Sequence, residues 1–556
     1  MKKIKILWQG ESSWLNTGYG VYTKNLLSRL HATGKYEIAE FGIYGHWNDH
    51  QRWELPWKFY GNMPDKDNKE EFRRYNSYQL NQFGCWRIND VLLDFQPDIV
   101  VSISDYWMVE AIERSPFRNF YYWLNMPPVD STPNYPQWVN TYLSADKLLG
   151  YTKFCQDYLS EFCDPKQFVG IAPPGADFSV FKPVENKKEL RAQYGFEDDV
   201  FILGTVMRNM GRKLFPDLFK AFKIFTEKYP EIAKKTYLYC HTSHPDLGYQ
   251  MPKLIRETGI SHKVLFSYIC TNQVCGHVFP SFFTGPLQTC PQCGKMSAYL
   301  PNSKIGITRQ QLATVINWFD LYVQYSNSEA AGMPIIEAAA CGVPVCAVDY
   351  SGMASIVKDV GGYPIPVQRF FTDTGSHAER ALPDNGKFAE FLHEWFSSPD
   401  SDNPQKIHQL ANEYYNWDKT AKVWEKCIDS LPLKNPKETW NSPSSQYREP
   451  NLEIPQRLSN DQFAKFIIAN VWGRLDKVNS YTALRLSRDL NYNTTIEGTE
   501  GFYYNEMLVG GHFTYSKFTR DEAVKAMLKL NQHWGYWENK RLNTRQEEKP
   551  LYLRNA

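Results

Sequence analysis

The sequence predicts an α/β protein of several domains, assembled from strand–loop–helix units. The chain has 556 residues, which is too long for one hydrophobic core and corresponds to roughly three or four domains. The apolar run K-I-K-I-L-W near the N-terminus leads into a glycine-containing loop and a helical pattern. A second unit starts at Phe201 with F-I-L-G-T-V and continues into the helical pattern D-L-F-K-A-F. In open α/β sheets, ligands bind at the carboxyl ends of such strands.

The first loop contains Gly18 and Gly20, directly before the pattern V-Y-T-K-N-L-L. Glycines at this place let the backbone approach a ligand, and the N-terminus of the following helix can receive a phosphate. Such a pair also commonly serves a tight turn. The preceding strand makes the loop a candidate binding element.

Two cations, Arg208 and Lys213, follow the strand F-I-L-G-T-V. A guanidinium and an ammonium held near a departing pyrophosphate stabilise its developing charge without proton transfer. A lone pair of cations at this spacing is more often a solvated surface. Their position after a strand favours the phosphate-binding interpretation.

Four cysteines form two short-spaced pairs, C-x4-C-G-H and C-P-Q-C-G, at Cys270, Cys275, Cys290 and Cys293. This spacing is typical of a zinc ribbon, in which four thiolates hold one tetrahedral ion. A closed four-sulfur site leaves the metal no open position, so the expected role of zinc is structural.

The segment from Glu329 to Glu337 reads E-A-A-G-M-P-I-I-E. Gly332, Met333 and Pro334 fit a loop that breaks into a helix, with both carboxylates and several backbone N–H groups directed into one pocket. Carboxylates accept hydrogen bonds from vicinal hydroxyls, and a helix N-terminus receives a phosphate. Such a pocket suits a sugar nucleotide.

Residues 326–357 resemble the donor-binding signature of the retaining, GT-B-fold glycosyltransferases of family 4, also described as glycosyl transferases group 1. The resemblance covers roughly residues 1–430, and it includes A-P-P-G-A-D-F-S-V-F-K-P, which is similar to the stretch that closes the first domain. It implies the GT-B fold, with two Rossmann-like domains facing a cleft. The donor is then a nucleoside-diphosphate sugar, with a UDP-sugar as the default, and no catalytic metal is expected.

The resemblance also implies residue roles. Glu329 holds hydroxyls of the transferred sugar, and Glu337 holds the nucleotide ribose. Arg208 and Lys213 face the pyrophosphate.

The resemblance and the composition together predict the domain organisation. The expected units are an acceptor domain at 1–184, a nucleotide-sugar domain at 185–432 with the ribbon inserted at about 267–300 and a crossing helix at about 405–432, a linker at 433–456, and an α+β module of unknown role at 457–556.

The sequence points to fewer candidate residues in the domain expected to bind the acceptor. Many relatives carry a histidine after the strand F-Y-Y-W-L, where this chain has Asn125, with Asp130 a few residues later. We therefore name Asp130 as the candidate catalytic residue of this domain. Asp105 is a second candidate for positioning an acceptor hydroxyl, and for both residues the capping of a loop or helix is an equal alternative.

The formal net charge is +1, so no strong field draws the whole molecule to nucleic acid or anionic membranes. No uncharged apolar run approaches the roughly 18 residues of a membrane span, and the N-terminal apolar run is too short for a signal peptide. Eleven cysteines in a chain of this length fit reduced thiols better than a disulfide framework. We expect a cytoplasmic protein, in the host cytoplasm if a phage encodes it.

Two acceptors fit the sequence about equally. The ribbon and the closing run H-W-G-Y-W-E-N-K-R-L-N-T-R, which could stack bases and neutralise phosphates, favour a 5-hydroxymethylated cytosine in phage DNA. The frequency of such acceptors in the resembled family favours a polysaccharide or glycan, and the same run also fits an amphipathic helix that docks on its own protein. A third interpretation is a non-catalytic protein that binds a nucleotide sugar or DNA on this scaffold.

Overall fold

The structure is a computed structural model that describes residues 3–113, 115–302, 305–398 and 403–442, with the short pieces 462, 502–505, 515–518 and 535–543. Most of the predicted 457–556 module, including its helical patterns near 461–472 and 521–530, lies outside the described residues. No helix in the described ranges is both long and apolar enough to cross a membrane.

The first domain contains a seven-stranded parallel sheet in the order β3-β2-β1-β4-β5-β6-β7. Helices cover both faces, and its central strands are therefore almost continuously buried. The strands are β1 (Ile4–Glu11), β2 (Tyr36–Ile43), β3 (Lys58–Gly61), β4 (Ile99–Ser102), β5 (Tyr122–Asn125), β6 (Lys147–Gly150) and β7 (Phe168–Ile171). The helices are α1 (Gly18–Ala32), α2 (Lys69–Asn76), α3 (Ile88–Phe95), α4 (Tyr106–Glu113), α5 (Pro136–Leu143) and α6 (Lys153–Ser160).

The second domain contains a nine-stranded sheet in the order β12-β13-β10-β9-β8-β14-β15-β16, with β11 also paired to β10. Its strands are β8 (Phe201–Val206), β9 (Thr236–His241), β10 (Val264–Cys270), β11 (Val278–Phe282), β12 (Leu287–Thr289), β13 (Met296–Tyr299), β14 (Leu321–Gln324), β15 (Val345–Val348) and β16 (Tyr363–Ile365). The helices are α7 (Lys187–Ala192), α8 (Phe215–Lys228), α9 (Pro230–Ala233), α10 (Met251–Thr258), α11 (Arg309–Asn317), α12 (Met333–Ala340) and α13 (Ser351–Asp359).

The chain then forms a hairpin, three helices and a second short hairpin: β17 (Val367–Thr372), β18 (Glu379–Pro383), α14 (Asn385–Ser397), α15 (Pro404–Tyr414), α16 (Trp417–Asp429), β19 (Phe502–Asn505) and β20 (Tyr515–Phe518). The helix α16 returns to the first domain, where Trp424 donates to the Tyr22 hydroxyl on α1 at 2.8 Å. Gly175, in the stretch that was expected to close the first domain, lies against the backbone of Trp417, so that a side chain there would collide with it.

The C-terminal part of the described chain also packs on the first domain. Trp440 donates to the carbonyl of Pro97 at 3.0 Å, and Trp537 stacks edge-on against Phe117. Lys540 pairs with Asp90 at 2.6 Å. The helix at 535–543 therefore uses its aromatic and cationic side chains to dock on its own protein.

Candidate active site

Two loops meet at the carboxyl edge of the second sheet. The loop after β8 carries the predicted cations, and the loop after β14 carries Glu329, the first of the predicted carboxylates. Their backbones pair directly: the Leu214 N–H donates to the Tyr325 carbonyl at 2.8 Å, and the Asn327 N–H donates to the Arg212 carbonyl at 2.9 Å. The sheet therefore holds Lys213 and Arg212 beside the first glutamate.

Glu329 lies at this edge, on the loop between β14 and α12, and is only 7% exposed. Its carboxylate contacts the Lys213 ammonium and lies 3.2 Å from the Arg212 guanidinium. It also accepts from the Ser326 hydroxyl at 2.9 Å and from the Gln324 amide at 3.3 Å. Buried carboxylates need such donors, because an unpaired buried charge is costly.

Of the two cations beside Glu329, Lys213 is buried, whereas the Arg212 side chain is 36% exposed. Burial, together with the neighbouring Arg212 charge, lowers the pKa of Lys213 well below its ordinary value. In the described part of the chain, Nη1 of Arg212 is buried without a hydrogen-bond partner. Such a pair of cations gains by meeting an anion, since a phosphate oxygen would satisfy the free N–H group and favour the charged ammonium.

Arg208 lies apart from this cluster. It is bidentate to Asp246, at 2.9 and 3.1 Å, and its side chain is 55% exposed. Burial raises the pKa of Asp246, but hydrogen bonds from Arg208 and Ser243 outweigh burial and bring the pKa to about 2. Arg208 can reach a ligand in the cleft only by leaving or sharing this carboxylate.

The helix α12 begins at the same edge. Gly332 caps it with a φ of 135°, a conformation that a residue with a Cβ rarely adopts. Met333 and Pro334 form the first turn, and no side chain caps the helix start. The helix N-terminus thus presents partial positive charge toward the cleft side of the loop.

Glu337 lies one turn further along α12 and is 4% exposed. Arg309, the first residue of α11, donates to its carboxylate at 3.1 Å. Burial raises the pKa of Glu337, and the Arg309 charge opposes that rise. The structure therefore separates the two glutamates into two sites with different cations.

The first domain supplies Asp130, which reaches across to the second domain. Its carboxylate accepts from Ser328 at 3.2 Å and from Arg380 at 3.0 Å. The Glu379 N–H donates to the Thr132 carbonyl at 2.9 Å beside this contact. Asp130 thus contacts Ser328, the residue directly before Glu329, and the two domains touch at this contact.

Two further carboxyl groups lie on the first-domain side. Tyr19 donates to Asp105 at 3.2 Å, and burial, with the charge of Asp130, raises the pKa of Asp105 to about 7. Burial also raises the pKa of Glu11, while Thr17 and the charge of Arg208 lower it. The first-domain wall of the cleft is therefore acidic and faces the cations of the second domain.

The glycine pair opens α1 as expected, but the two residues differ. A Cβ on Gly20 would overlap the carbonyl oxygen of Leu15, so Gly20 serves the turn. A Cβ on Gly18 would meet nothing within 4 Å. Only Gly18 is placed with open space beside it, where a ligand could approach the backbone.

The four cysteines lie together, with all four sulfurs within 4.8 Å of one another. The Sγ atoms of Cys270 and Cys293 are 3.7 Å apart, and those of Cys275 and Cys290 are 3.8 Å apart. Four sulfurs at about 2.3 Å from one tetrahedral ion lie about 3.8 Å from each other, whereas a disulfide needs about 2.05 Å. The donor set and its spacing fit a four-thiolate zinc site.

Comparison with known proteins agrees with this architecture. Residues 304–381 match the family model described as Glycosyl transferases group 1. A search of curated proteins finds no match. Among solved structures, the chain is similar to a sucrose-phosphate synthase from Thermosynechococcus elongatus, with 15% identity, 77% of this chain and 100% of that chain covered, and a TM-score of 0.53.

It is also similar to Anabaena HepE in complex with UDP and glucose, with 14% identity over 77% of this chain and 100% of that chain and a TM-score of 0.52. A glycosyltransferase from Rickettsia africae is 13% identical over 78% of this chain and 100% of that chain, with a TM-score of 0.53. The chain has the GT-B fold. The predicted fold class is therefore confirmed, with the four-cysteine ribbon as an insertion in the second GT-B domain.

Three residues of the GT-B cleft did not follow from the sequence. Arg212 lies between Arg208 and Lys213, the two predicted cations. The presence of three cations within six residues could have indicated it. Arg309 and Arg380 lie 28 and 250 residues from Glu337 and Asp130, the carboxylates they contact. Only the folded chain brings those partners together.

Proposed function

We propose that the protein transfers a sugar from a nucleoside-diphosphate sugar to an acceptor hydroxyl, with retention of the anomeric configuration. The observation that carries the proposal is Glu329, buried at the carboxyl edge of the second sheet and surrounded by Lys213 and Arg212. This reaction needs a carboxylate that accepts hydrogen bonds from sugar hydroxyls, and beside it cations that stabilise the charge on the departing diphosphate. UDP-sugars are the first donors to test, since the HepE structure contains UDP and glucose.

The donor would lie along the edge from Glu329 to Glu337. Glu329 accepts hydrogen bonds from the sugar hydroxyls, and Glu337 accepts them from the ribose. Lys213, Arg212 and the N-terminus of α12 receive the diphosphate, and Arg208 joins them on releasing Asp246. These cations neutralise the leaving group, so that the role of a divalent ion in other glycosyltransferases is filled by side chains.

The reaction then proceeds on one face of the sugar. The bond between the anomeric carbon and the diphosphate oxygen breaks as the acceptor oxygen bonds to the same carbon. The acceptor proton passes to the departing phosphate oxygen. Asp130 and Asp105 orient the acceptor hydroxyl, and no protein nucleophile is required.

We propose a glycan or another uncharged polyol as the acceptor rather than DNA. Three carboxyl groups, those of Glu11, Asp105 and Asp130, line the first-domain side, where they accept from hydroxyls and, in their ionised forms, repel phosphates. In the closing run, Lys540 pairs with Asp90, and Arg541 donates to the Trp440 carbonyl at 3.0 Å. Those cations are therefore engaged within the protein.

A product assay tests the function and the acceptor together. Purified protein is incubated with a panel of nucleotide sugars and, separately, with glycans and with duplex DNA with or without 5-hydroxymethylcytosine. Mass spectrometry of the products should show a sugar added to a glycan. A sugar mass on the modified base alone would establish the DNA acceptor instead, and no transfer or nucleotide release with any donor would favour a non-catalytic binding protein.

Asp105 predicts a pH dependence. Because its pKa is about 7, the carboxylate that accepts the acceptor hydroxyl forms only as the pH rises through neutrality. We expect kcat/KM for the acceptor to rise severalfold between about pH 6 and pH 8, and Asp105→Asn to flatten that profile. Initial rates measured across this range for both proteins provide the check, and an unchanged slope in the variant would reject the assignment.

The ribbon predicts a defined metal content. We propose that Cys270, Cys275, Cys290 and Cys293 hold one zinc ion, whose chemistry there is structural. Elemental analysis of the purified chain should give one zinc per molecule, and Cys290→Ser should abolish it while Cys163→Ser, outside the cluster, should not. Retained zinc in the Cys290 variant would contradict the site.

A further inference from the structure

The cysteine ribbon is continuous with the second sheet, at whose edge the proposed nucleotide site lies. The strand β10 runs parallel to β9 and ends at Cys270, itself one of the four sulfur donors. After the ribbon the chain enters α11, whose first residue, Arg309, donates to Glu337. The ribbon therefore lies between a strand of the donor domain and the helix that contacts the proposed ribose carboxylate.

Gln311 joins the ribbon to that helix. Its amide oxygen accepts from the Thr308 N–H at 2.9 Å, and the Thr308 hydroxyl accepts from the Gln311 N–H, which closes a capping box at the start of α11. Its amide nitrogen donates to the carbonyl of Gly276 at 2.8 Å, directly after the metal-binding Cys275. One side chain thus fixes the first turn of α11 and holds one metal-binding turn.

The remaining contact between the ribbon and α11 is incomplete. A pocket of about 170 Å³ that is open to solvent lies between them, lined by Gln292 and Val278 from the ribbon and by Gln311, Val315 and Trp318 from the helix side. Val278 packs in the same buried core as Val315 and Trp318, and such packing fixes no single position for the polar turn at Gly276. The hydrogen bond from Gln311 is the directional contact that sets this turn against the helix start.

Arg309 links the position of the first turn of α11 to the proposed nucleotide site. It lies two residues before Gln311 in the same turn, its guanidinium is 4.9 Å from the centre of the Phe181 ring, and it donates to Glu337 at 3.1 Å. A shift of the first turn of α11 would move Arg309 from a buried carboxylate. Glu337 would then lose the charge that opposes the burial-driven rise of its pKa.

We propose that the metal-loaded ribbon positions the Arg309–Glu337 pair through Gln311, so that the metal and the nucleotide bind with positive coupling. This inference rests on the proposed function, since it assigns a nucleotide to Glu337. Gln311 is a positioning residue that contacts neither ligand. By linkage, the nucleotide must retain the metal by the same factor with which the metal favours the nucleotide.

The test uses the full chain and the variant Gln311→Glu. A glutamate still accepts from the Thr308 N–H and keeps the capping box, but it cannot donate to the Gly276 carbonyl. Gln310→Ala is the matched control, because Gln310 is the preceding residue of the same helix and its side chain is exposed. UDP affinity is measured by calorimetry, and the equilibrium partition of zinc to a chromogenic chelator is measured with and without UDP.

We expect wild-type protein and Gln310→Ala to bind UDP alike, and UDP to raise the chelator concentration at which half of the zinc is removed. In Gln311→Glu, with zinc content unchanged, UDP affinity should fall by about fivefold to tenfold and the protection of zinc should disappear. Unchanged affinity and protection in Gln311→Glu would overturn the coupling and leave the transferase proposal standing. Failure of the wild-type protein to bind UDP, GDP or any other nucleotide would overturn the proposed function itself.

Discussion

Glu329→Gln should lower kcat for sugar transfer by about 10² to 10³-fold while leaving UDP affinity nearly unchanged. The substitution keeps the shape of the side chain but removes the charge that Lys213 and Arg212 surround. Loss of one preorganised electrostatic contact in a catalytic site has effects of this size. Because Glu329 is assigned to the sugar rather than to the nucleotide, the loss should appear with the full donor and not with UDP alone.

The measurement pairs transfer kinetics with UDP calorimetry. Glu390→Gln is the matched control, since Glu390 lies on the surface and pairs with Lys228 at 2.9 Å. Thermal melting of both variants shows that a loss of activity does not come from unfolding. Full activity of the Glu329 variant would show that the active site does not include this loop.

Lys213→Met should reduce kcat by a similar factor and, unlike the glutamate variant, weaken UDP binding by about tenfold or more. Its ammonium is assigned to the diphosphate, which is present in the donor and in UDP. The variant also leaves Glu329 with Arg212 as its remaining cationic contact among the described residues. Lys235→Met, which removes an exposed ammonium paired with Asp199, is the control.

The double variant of Lys213 and Glu329 gives a sharper test. The two side chains contact each other, and residues that act as one unit show strongly non-additive effects. The double variant should lose little more activity than Lys213→Met alone. Additive losses would mean that the two residues serve separate steps.

Local patterns predicted the parts of this molecule that short stretches of chain determine. The strands before Gly18 and Arg208 are where apolar runs placed them. The cysteine spacing also predicted that four sulfurs would come together. In each case the residues that act together lie within about 25 positions of one another or follow a strand directly.

Contacts between distant parts of the chain could not be predicted in this way. Asp130 was named for its place after a strand, but its contact with Arg380 depends on how the β17–β18 hairpin meets the first domain. The exposed fraction of Arg208 and its pairing with Asp246 depend on the loop after β9. Sequence spacing does not encode such distances, because they depend on how separate loops or domains pack against each other in the folded chain.

The anchoring of the C-terminal region has a mechanical consequence. Arg541 donates to the carbonyls of Trp440 and Ser442, each at 3.0 Å, so two segments about a hundred residues apart in sequence meet at one point on the first domain. These two segments therefore belong mechanically to the first domain, and a movement of the second domain would leave their contact intact.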